Sequence, residues 1–277
     1  MKALWTSYEI AKATGGAASA AFAVKGVAFD SREVGPGDLF IALKGEVTDG
    51  HRFLDNAFES GAAGAIVSEA TAYPHIRVDD TTAALEALGR AARARTAARV
   101  IGVTGSVGKT GTKEALFAAF DRIAPGAAHR SVKSYNNHTG VPLSLARMPA
   151  ATRFGIFEMG MNHPGELAAL TQLVRPHVAI VTAIAPAYFP DEAAIADATG
   201  EIFQGLEPGG TAVIPFDSPH RDRLVTAAQL FAGRILTFGR GAGADVRVRE
   251  EIALEAGGTM ISAVLPGADL TFTLSQP

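Results

Sequence analysis

Apolar and polar positions fall in short blocks along this chain, and the blocks predict strands and helices in alternation. Val100 to Val103 is an unbroken apolar run, the pattern of a buried strand. It runs into a turn rich in glycine and hydroxyl residues, Thr104 to Thr110, and Lys113 to Ile123 then carries apolar residues at helical spacing. Before it, a short helical pattern begins at Ser7 and stops at Gly15-Gly16. Strands are predicted for Ala23 to Phe29, Leu39 to Leu43, Ala65 to Ser68 and Ile76 to Val78, with turns at Gly35 to Asp38 and Asp49 to His51 and a helix from Phe53 to Ser60. Asp80-Thr81-Thr82 reads as an N-cap cluster opening a helix from Ala83 to Ala98.

The same rhythm continues. Gly155 to Glu158 and Val178 to Ala183 are predicted strands, the second of the fully buried kind, with helices at Gly165 to Val174 and Ala193 to Leu206. Thr211 to Ile214, Arg234 to Phe238 and Asp245 to Glu250 follow as strands. Thr259 to Leu265 and Leu270 to Leu274, parted by Pro266-Gly267, form a hairpin signal. The predicted class is α/β: a small α/β domain over residues 1–80, then a mostly parallel-sheet, P-loop ATPase-type domain over residues 81–277.

Strand, glycine-rich turn and helix are the setting of a phosphate-binding loop. Gly105 and Gly108 let backbone N–H groups approach an anion, and the helix N-terminus adds partial positive charge. Lys109 would reach the outer phosphates, and the Thr110 hydroxyl is placed for Mg²⁺. The longer Walker spacing wants glycine where Val103 stands, so the match is to G-x-x-G-K-T; the alternative is an ordinary turn that contains a lysine. In open parallel sheets ligands bind beyond the carboxyl ends of strands. Glu158 ends a strand there and suits Mg²⁺, a cation of hard oxygen ligands, or else caps a helix. Asn136 and Asn137, in Ser134-Tyr135-Asn136-Asn137-His138, belong to a binding loop or to a purely structural turn.

Composition narrows the partners. With 277 residues, 48% hydrophobic and 19% charged, the chain can build large cores and is not a disordered type. A net charge of -3 supplies no general attraction for nucleic acid. The absence of cysteine removes disulfides, thiolate metal sites and cysteine nucleophiles. Met1 to Ala13 has no apolar signal core, and no apolar run nears the roughly 20 residues of a membrane span. The expectation is a cytoplasmic monomer without nucleic-acid or membrane partners.

Five blocks carry a family resemblance: D-S-R-E-V-G-P-G-D-L-F-I-A-L-K-G at Asp30 to Gly45, D-G-H at Asp49 to His51, T-G-S-V-G-K-T-G-T-K-E at Thr104 to Glu114, S-Y-N-N-H-T-G-V-P-L at Ser134 to Leu143, and E-M-G-M-N-H-P-G-E at Glu158 to Glu166. In this order they resemble the Mur ligases, in particular the D-alanyl-D-alanine-adding branch, from about residue 5 to residue 240. The resemblance implies an ATP-dependent, amide-forming ligase of peptidoglycan precursor synthesis. ATP would phosphorylate the terminal carboxylate of a UDP-MurNAc-tripeptide, and the D-Ala-D-Ala amine would attack the acyl-phosphate. By the same resemblance Gly105, Ser106, Val107, Gly108, Lys109 and Thr110 would bind ATP, Thr110 and Glu158 would hold Mg²⁺, and Lys109 and Glu158 would be catalytic. Ser31, Arg32, Lys44, Gly45, Asp49 and His51 would bind the UDP-sugar portion in residues 1–80, and Asn136 and Asn137 would position substrate beside the γ-phosphate.

Two positions depart from the family pattern. Tyr188 stands where the family has a histidine, in a shortened loop, and a phenol with a pKa of about 10 is a poor Mg²⁺ ligand. Thr199 stands where the family has a lysine that is carbamylated to serve a second metal, and threonine has no amine. The family's third, C-terminal domain is expected to be absent, with the central domain incomplete at its C-terminal end. A non-catalytic relative that binds ATP and UDP-sugar is therefore the alternative. Folylpolyglutamate synthase shares the phosphate loop, but the Asp30 to Gly45 block argues against it.

Overall fold

Each apolar run that the pattern marks as a strand lies in a sheet of the computed structural model, which describes residues 3–45, 48–185, 192–255 and 257–275. The chain divides into two units, residues 1–99 with 115–158 and residues 100–114 with 159–277.

In the first unit a sheet runs in the order Ala17–Ala18, His75–Arg77, Gly64–Val67, Asp38–Ile41, Gly26–Ala28. The outer pair beginning at Ala17 is antiparallel and the other neighbours are parallel. All four residues of Gly64–Val67 are buried, as a central parallel strand requires. Phe40, Ala65 and Val67 form a core with Val34, Leu54 and Ala57, with Phe58 and Tyr73 packed at its margin. Asp80 caps the helix Thr81–Ala94 by accepting from the N–H groups of Thr82 and Ala83. That helix buries Ala84, Leu85, Leu88 and Ala92, one apolar stripe. Gly89 on the same stripe leaves room for Pro142, whose oxygen would lie 3.0 Å from an added Cβ, in the fully buried helix Gly140–Ala146. A parallel pair, Ala128–Arg130 beside Phe154–Glu158, completes this unit.

In the second unit the strand order is Arg99–Thr104, Val178–Val181, Thr211–Pro215, Arg234–Gly239, Val246–Ala253, Thr259–Leu265, Ala268–Leu274. Neighbours are parallel as far as Val246–Ala253, and the last two strands close antiparallel. Val178 pairs with Ile101 and Val181 with Thr104, so the two strands end level at the glycine-rich turn.

The helix after that turn begins at Lys109, not at Lys113, because its polar first turn hid it from an apolar count. The predicted helix Ala193 to Leu206 is Glu192–Gly200 followed by a 3-10 segment, Glu201–Gly205. Thr171 sets this break: its hydroxyl donates to Ile202 O at 2.7 Å, and its own carbonyl oxygen lies 2.1 Å from where a Cβ on Gly205 would be. The segment predicted as one helix from Phe53 is likewise a 3-10 turn, Gly50–Phe53, then Leu54–Glu59. The helices Gly140–Ala146 and Arg221–Gln229 and the strand Ala128–Arg130 carried no sequence prediction.

Gly205→Ala should destabilise the fold by at least ~1–3 kcal/mol, since backbone must move to admit the methyl group. Gly111→Ala, in open space within the helix, should instead stabilise by about 0.5–1 kcal/mol. Urea midpoints of the two variants check both signs.

Candidate functional site

The glycine-rich turn has one backbone path, fixed by the end of the neighbouring strand. Gly105 sits at φ 134°, and a Cβ there would lie 2.2 Å from Thr182 Oγ1 and 2.9 Å from Ala183 O. Only glycine takes that conformation in that space. Ser106 N–H donates to Ala183 O at 2.8 Å, and the Ser106 hydroxyl donates to Ala185 O at 3.0 Å. From the other side the Thr182 hydroxyl reaches Val107 O at 2.6 Å and Thr104 O at 3.1 Å. Gly108, at φ 85°, turns the chain into the helix Lys109–Ile123, and Thr112 N–H closes its first turn on Gly108 O. Lys109 folds back so that Nζ donates to Gly105 O at 2.6 Å and Ser106 O at 3.3 Å. A cavity of about 440 Å³ beside the turn is lined by Val107, Gly108, Ile180, Thr182, Val213 and Phe238 among others.

Glu158 ends its strand almost fully buried, 1% exposed. Its Oε1 accepts from Asn136 Nδ2 at 2.9 Å, and its N–H donates to Ser131 Oγ at 3.1 Å. It does not cap the helix Glu166–Val174. Glu201 does that, accepting from Gly165 N and Ala168 N, while Glu166 accepts from Asn162 N and His163 N. Asn137 takes the structural role its type suggests, its Oδ1 accepting from the N–H groups of Thr139 and Gly140 before the helix Gly140–Ala146. Thus one of the paired asparagines faces the carboxylate and the other opens a helix.

Ser31, Arg32 and Gly45 line a second cavity, about 570 Å³, together with Asp30, Thr48 and Gly50. Asp30 accepts from Arg32 N and grips the Arg32 guanidinium through both oxygens, which lowers the Asp30 pKa. Lys44 pairs with Asp49 as an isolated bridge at the base of the loop. His51 has its side chain 7% exposed and both ring nitrogens engaged. Ser68 N–H can only donate, so His51 Nε2 accepts it at 2.9 Å, and Nδ1 carries the proton given to Asp49 Oδ1 at 2.6 Å. Asp49, His51 and Glu69 are grouped closely enough for a metal, but this tautomer keeps no imidazole lone pair for one. Of the residues expected on the sugar side, Ser31, Arg32 and Gly45 line the cavity, while Lys44 bridges to Asp49 and His51 is hydrogen-bonded to Asp49 and Ser68.

Glu33, in the same 3-10 turn as Ser31 and Arg32, was not singled out by residue type. Its Oε1 accepts from the Tyr135 hydroxyl at 2.6 Å and from Lys133 Nζ, and Arg147 lies 3.7 Å from Oε2. These donors hold the Glu33 carboxyl below the usual range, Lys133 first and Tyr135 second. Thr182 and Glu201 were also missed: a threonine inside a predicted strand, which in the structure ends at Val181, and a glutamate inside a helical pattern carry no local signal. Thr199 is fully buried, and its Oγ1 has no hydrogen-bond partner among the described residues. Tyr188 lies outside the described residues.

Residues 103–277 match the Mur ligase middle domain, and residues 23–106 match the catalytic domain of the Mur ligase family. The chain belongs to the Mur ligase family. It is 35% identical over 242 residues to the UDP-N-acetylmuramoyl-tripeptide–D-alanyl-D-alanine ligase of Bacillus subtilis, a match covering 84% of this chain and 51% of that protein. The structure of the UDP-N-acetylmuramoylalanyl-D-glutamyl-2,6-diaminopimelate–D-alanyl-D-alanyl ligase of Acinetobacter baumannii aligns with a TM-score of 0.86 at 32% identity, over 98% of this chain and 61% of that one. MurF ligase from Thermotoga maritima in complex with ADP aligns with a TM-score of 0.75 at 28% identity, over 91% and 58%. The chain spans about half the length of the curated relatives it matches. No helix of the described residues is long and apolar enough to cross a membrane.

Gly105→Ala should lower the urea midpoint, since the added methyl group would lie 2.2 Å from Thr182 Oγ1 and the loop must leave its path at a cost of about 1–3 kcal/mol. Glu33→Gln gives a pH test. A carboxylate whose folded pKa is depressed stabilises the fold above its unfolded value and loses that contribution as pH falls through the folded one. The urea midpoint of the variant should therefore lie below that of the parent at pH 7, and the gap should narrow as pH falls from about 5.

Proposed function

We propose that this chain provides the nucleotide-binding and UDP-sugar-binding parts of a MurF-type ligase, an ATP-dependent, amide-forming enzyme of peptidoglycan precursor synthesis that joins D-Ala-D-Ala to UDP-MurNAc-tripeptide. The observation that carries this is the phosphate loop whose backbone Gly105 and Thr182 fix, in a member of this family. On this reading residues 1–80 bind UDP-MurNAc-peptide and residues 81–277 bind ATP, in a cytoplasmic monomer.

The chemistry proceeds in two displacements. A terminal carboxylate oxygen of the tripeptide attacks the γ-phosphorus of ATP, the bond to the bridging oxygen breaks, and ADP leaves an acyl-phosphate. The D-Ala-D-Ala amine then attacks the acyl carbon and loses a proton, and inorganic phosphate departs as the amide forms. The N–H groups from Gly105 to Thr110 and the Lys109 ammonium hold the phosphates, so the barrier falls by positioning and charge stabilisation. The Thr110 hydroxyl and the Glu158 carboxylate are hard oxygen donors that fit Mg²⁺, and Asn136 fixes the carboxylate's direction. Mg²⁺, when bound, supplies charge neutralisation on the phosphates. The donor set does not fit a second metal held by a carbamylated lysine, because Thr199 has no amine and lies buried; no step is assigned to one. Ser31, Arg32 and Gly45 contact the UDP-sugar, Lys44, Asp49 and His51 shape its loop, and Asn137 sets the loop that carries Asn136.

Titration of the chain with ATP and Mg²⁺, and separately with UDP-MurNAc-tripeptide, tests this. Lys109→Ala should weaken ATP binding by about tenfold or more, on the scale of a lost charge-assisted contact, and leave the sugar nucleotide bound as before. A parent chain that binds ATP and ignores UDP-MurNAc-tripeptide would contradict the assignment. Phosphate release on adding D-Ala-D-Ala measures turnover.

A further inference from the structure

The larger cavity, beside the turn Ser31–Glu33, has two kinds of wall. Phe29 and Phe53 are apolar and aromatic, and Asp30, Ser31 and Arg32 are polar. Arg32 is the one cation among the described residues that line it. Where an anionic group settles in this cavity is therefore decided by how the Arg32 guanidinium is held.

Asp30 holds it by one edge. Its Oδ1 accepts from Arg32 Nε at 2.9 Å and its Oδ2 from Nη2 at 2.5 Å, the two parallel bonds of a fork. Oδ1 also accepts from Arg32 N at 3.0 Å, so the carboxylate that grips the side chain is seated on the backbone of the same residue. The Asp30 carbonyl oxygen accepts from Glu33 N and closes the turn. A guanidinium carries its five N–H groups in one plane. Asp30 takes the Nε–Nη2 edge, and covalent geometry leaves the Nη1–Nη2 edge as a second fork. The Arg32 side chain is 86% exposed and that of Asp30 only 23%, so a ligand can reach the cation while its counter-ion stays behind it.

A long exposed side chain gives up rotamer freedom when it binds, and the affinity is lower for it. Here Asp30 restricts that freedom before a ligand arrives. Its negative charge acts the other way, but it stands at the far edge of the guanidinium, where water and salt screen it from an anion at the near edge. Orientation outweighs repulsion.

We propose that Asp30 is a positioning residue for anion recognition: it fixes Arg32 by the Nε–Nη2 edge so that the Nη1–Nη2 edge takes two non-bridging oxygens of a ligand diphosphate. This rests on the functional reading above, in which that ligand is a UDP-sugar. The walls at Phe29 and Phe53 suit the uncharged part of the same molecule.

A double-mutant cycle in the whole chain tests it, read as the Kd of UDP-MurNAc-tripeptide by calorimetry. Asp30→Asn keeps an oxygen for the Arg32 N–H, and so the turn, but its amide cannot grip the fork. It should weaken binding about two- to tenfold, the affinity equivalent of ordering one long side chain. Arg32→Ala should weaken it about tenfold or more. The double variant should bind no more weakly than Arg32→Ala, because Asp30 acts through the side chain that is gone. Arg32→Lys should lose nearly as much as Arg32→Ala, since an ammonium has no second edge. Losses that add in the double variant, as general loosening of the turn would give, overturn the proposal. So does unchanged affinity in Asp30→Asn, or Arg32→Lys binding as the parent does. If the parent ignores UDP-MurNAc-tripeptide, the functional reading fails instead, and inorganic pyrophosphate decides the positioning role through NMR of the Arg32 Nε–H group. A signal that pyrophosphate shifts in the parent, with a Kd at least about twofold weaker in Asp30→Asn, supports it. A parent signal that does not move, or equal titration in the two proteins, overturns it.

Discussion

The approach of Gly105 to Thr182 and Ala183 is the constraint on which the glycine-rich turn depends. It is a contact between backbone and a neighbouring strand end, with no space for a side chain. Because Arg99–Thr104 and Val178–Val181 run parallel and end level, the turn leaving one must cross the end of the other. Thr182 then holds the crossing with one hydroxyl shared between Thr104 O and Val107 O. The loop is thereby shaped by the sheet, which leaves its N–H groups directed by the fold and not by a ligand. Preorganised donors of this kind cost no rearrangement when charge arrives.

The larger cavity, beside Ser31 and Arg32, is bordered by another device. There, Asp30 and Asp49 hold their own short turns, on Arg32 and on His51, and Glu33 ties its turn to Lys133 and Tyr135 far along the chain. Each such pair is partly open to water, so each is worth little alone. Together they decide where the turns lie. The turn at Asp49 takes its position from the His51 imidazole, whose proton is placed by the Ser68 backbone N–H.

Much of this was legible from the chain. The strand at Val100, the glycines of the turn, and the carboxylate at the end of its strand follow from runs, breakers and hydroxyl placement, because those features are local. What escaped depends on partners far away in sequence. Thr182 acts 75 residues from Val107, and Glu33 acts 102 residues from Tyr135. Glu201 caps a helix that begins 35 residues earlier, so its part is invisible to any window along the chain. The helix Gly140–Ala146 was passed over because it is buried on every side and shows no amphipathic period, and Pro142 in its first turn reads as a breaker when it is a permitted start. The pair Asn136-Asn137 left a binding loop and a structural turn equally open; Asn137 takes the turn, and Asn136 bonds to the Glu158 carboxylate.

Threonine and valine have nearly the same shape, and the difference between them at position 199 is one hydroxyl. That hydroxyl is closed off from water and bonded to nothing among the described residues. An unmet buried donor of this kind carries a desolvation penalty of about 1–3 kcal/mol, against a whole-domain stability of about 5–15 kcal/mol. The helix Glu192–Gly200 therefore holds a reserve of stability that an apolar atom in place of the oxygen would release, and an engineer seeking a hardier form of this chain would begin there.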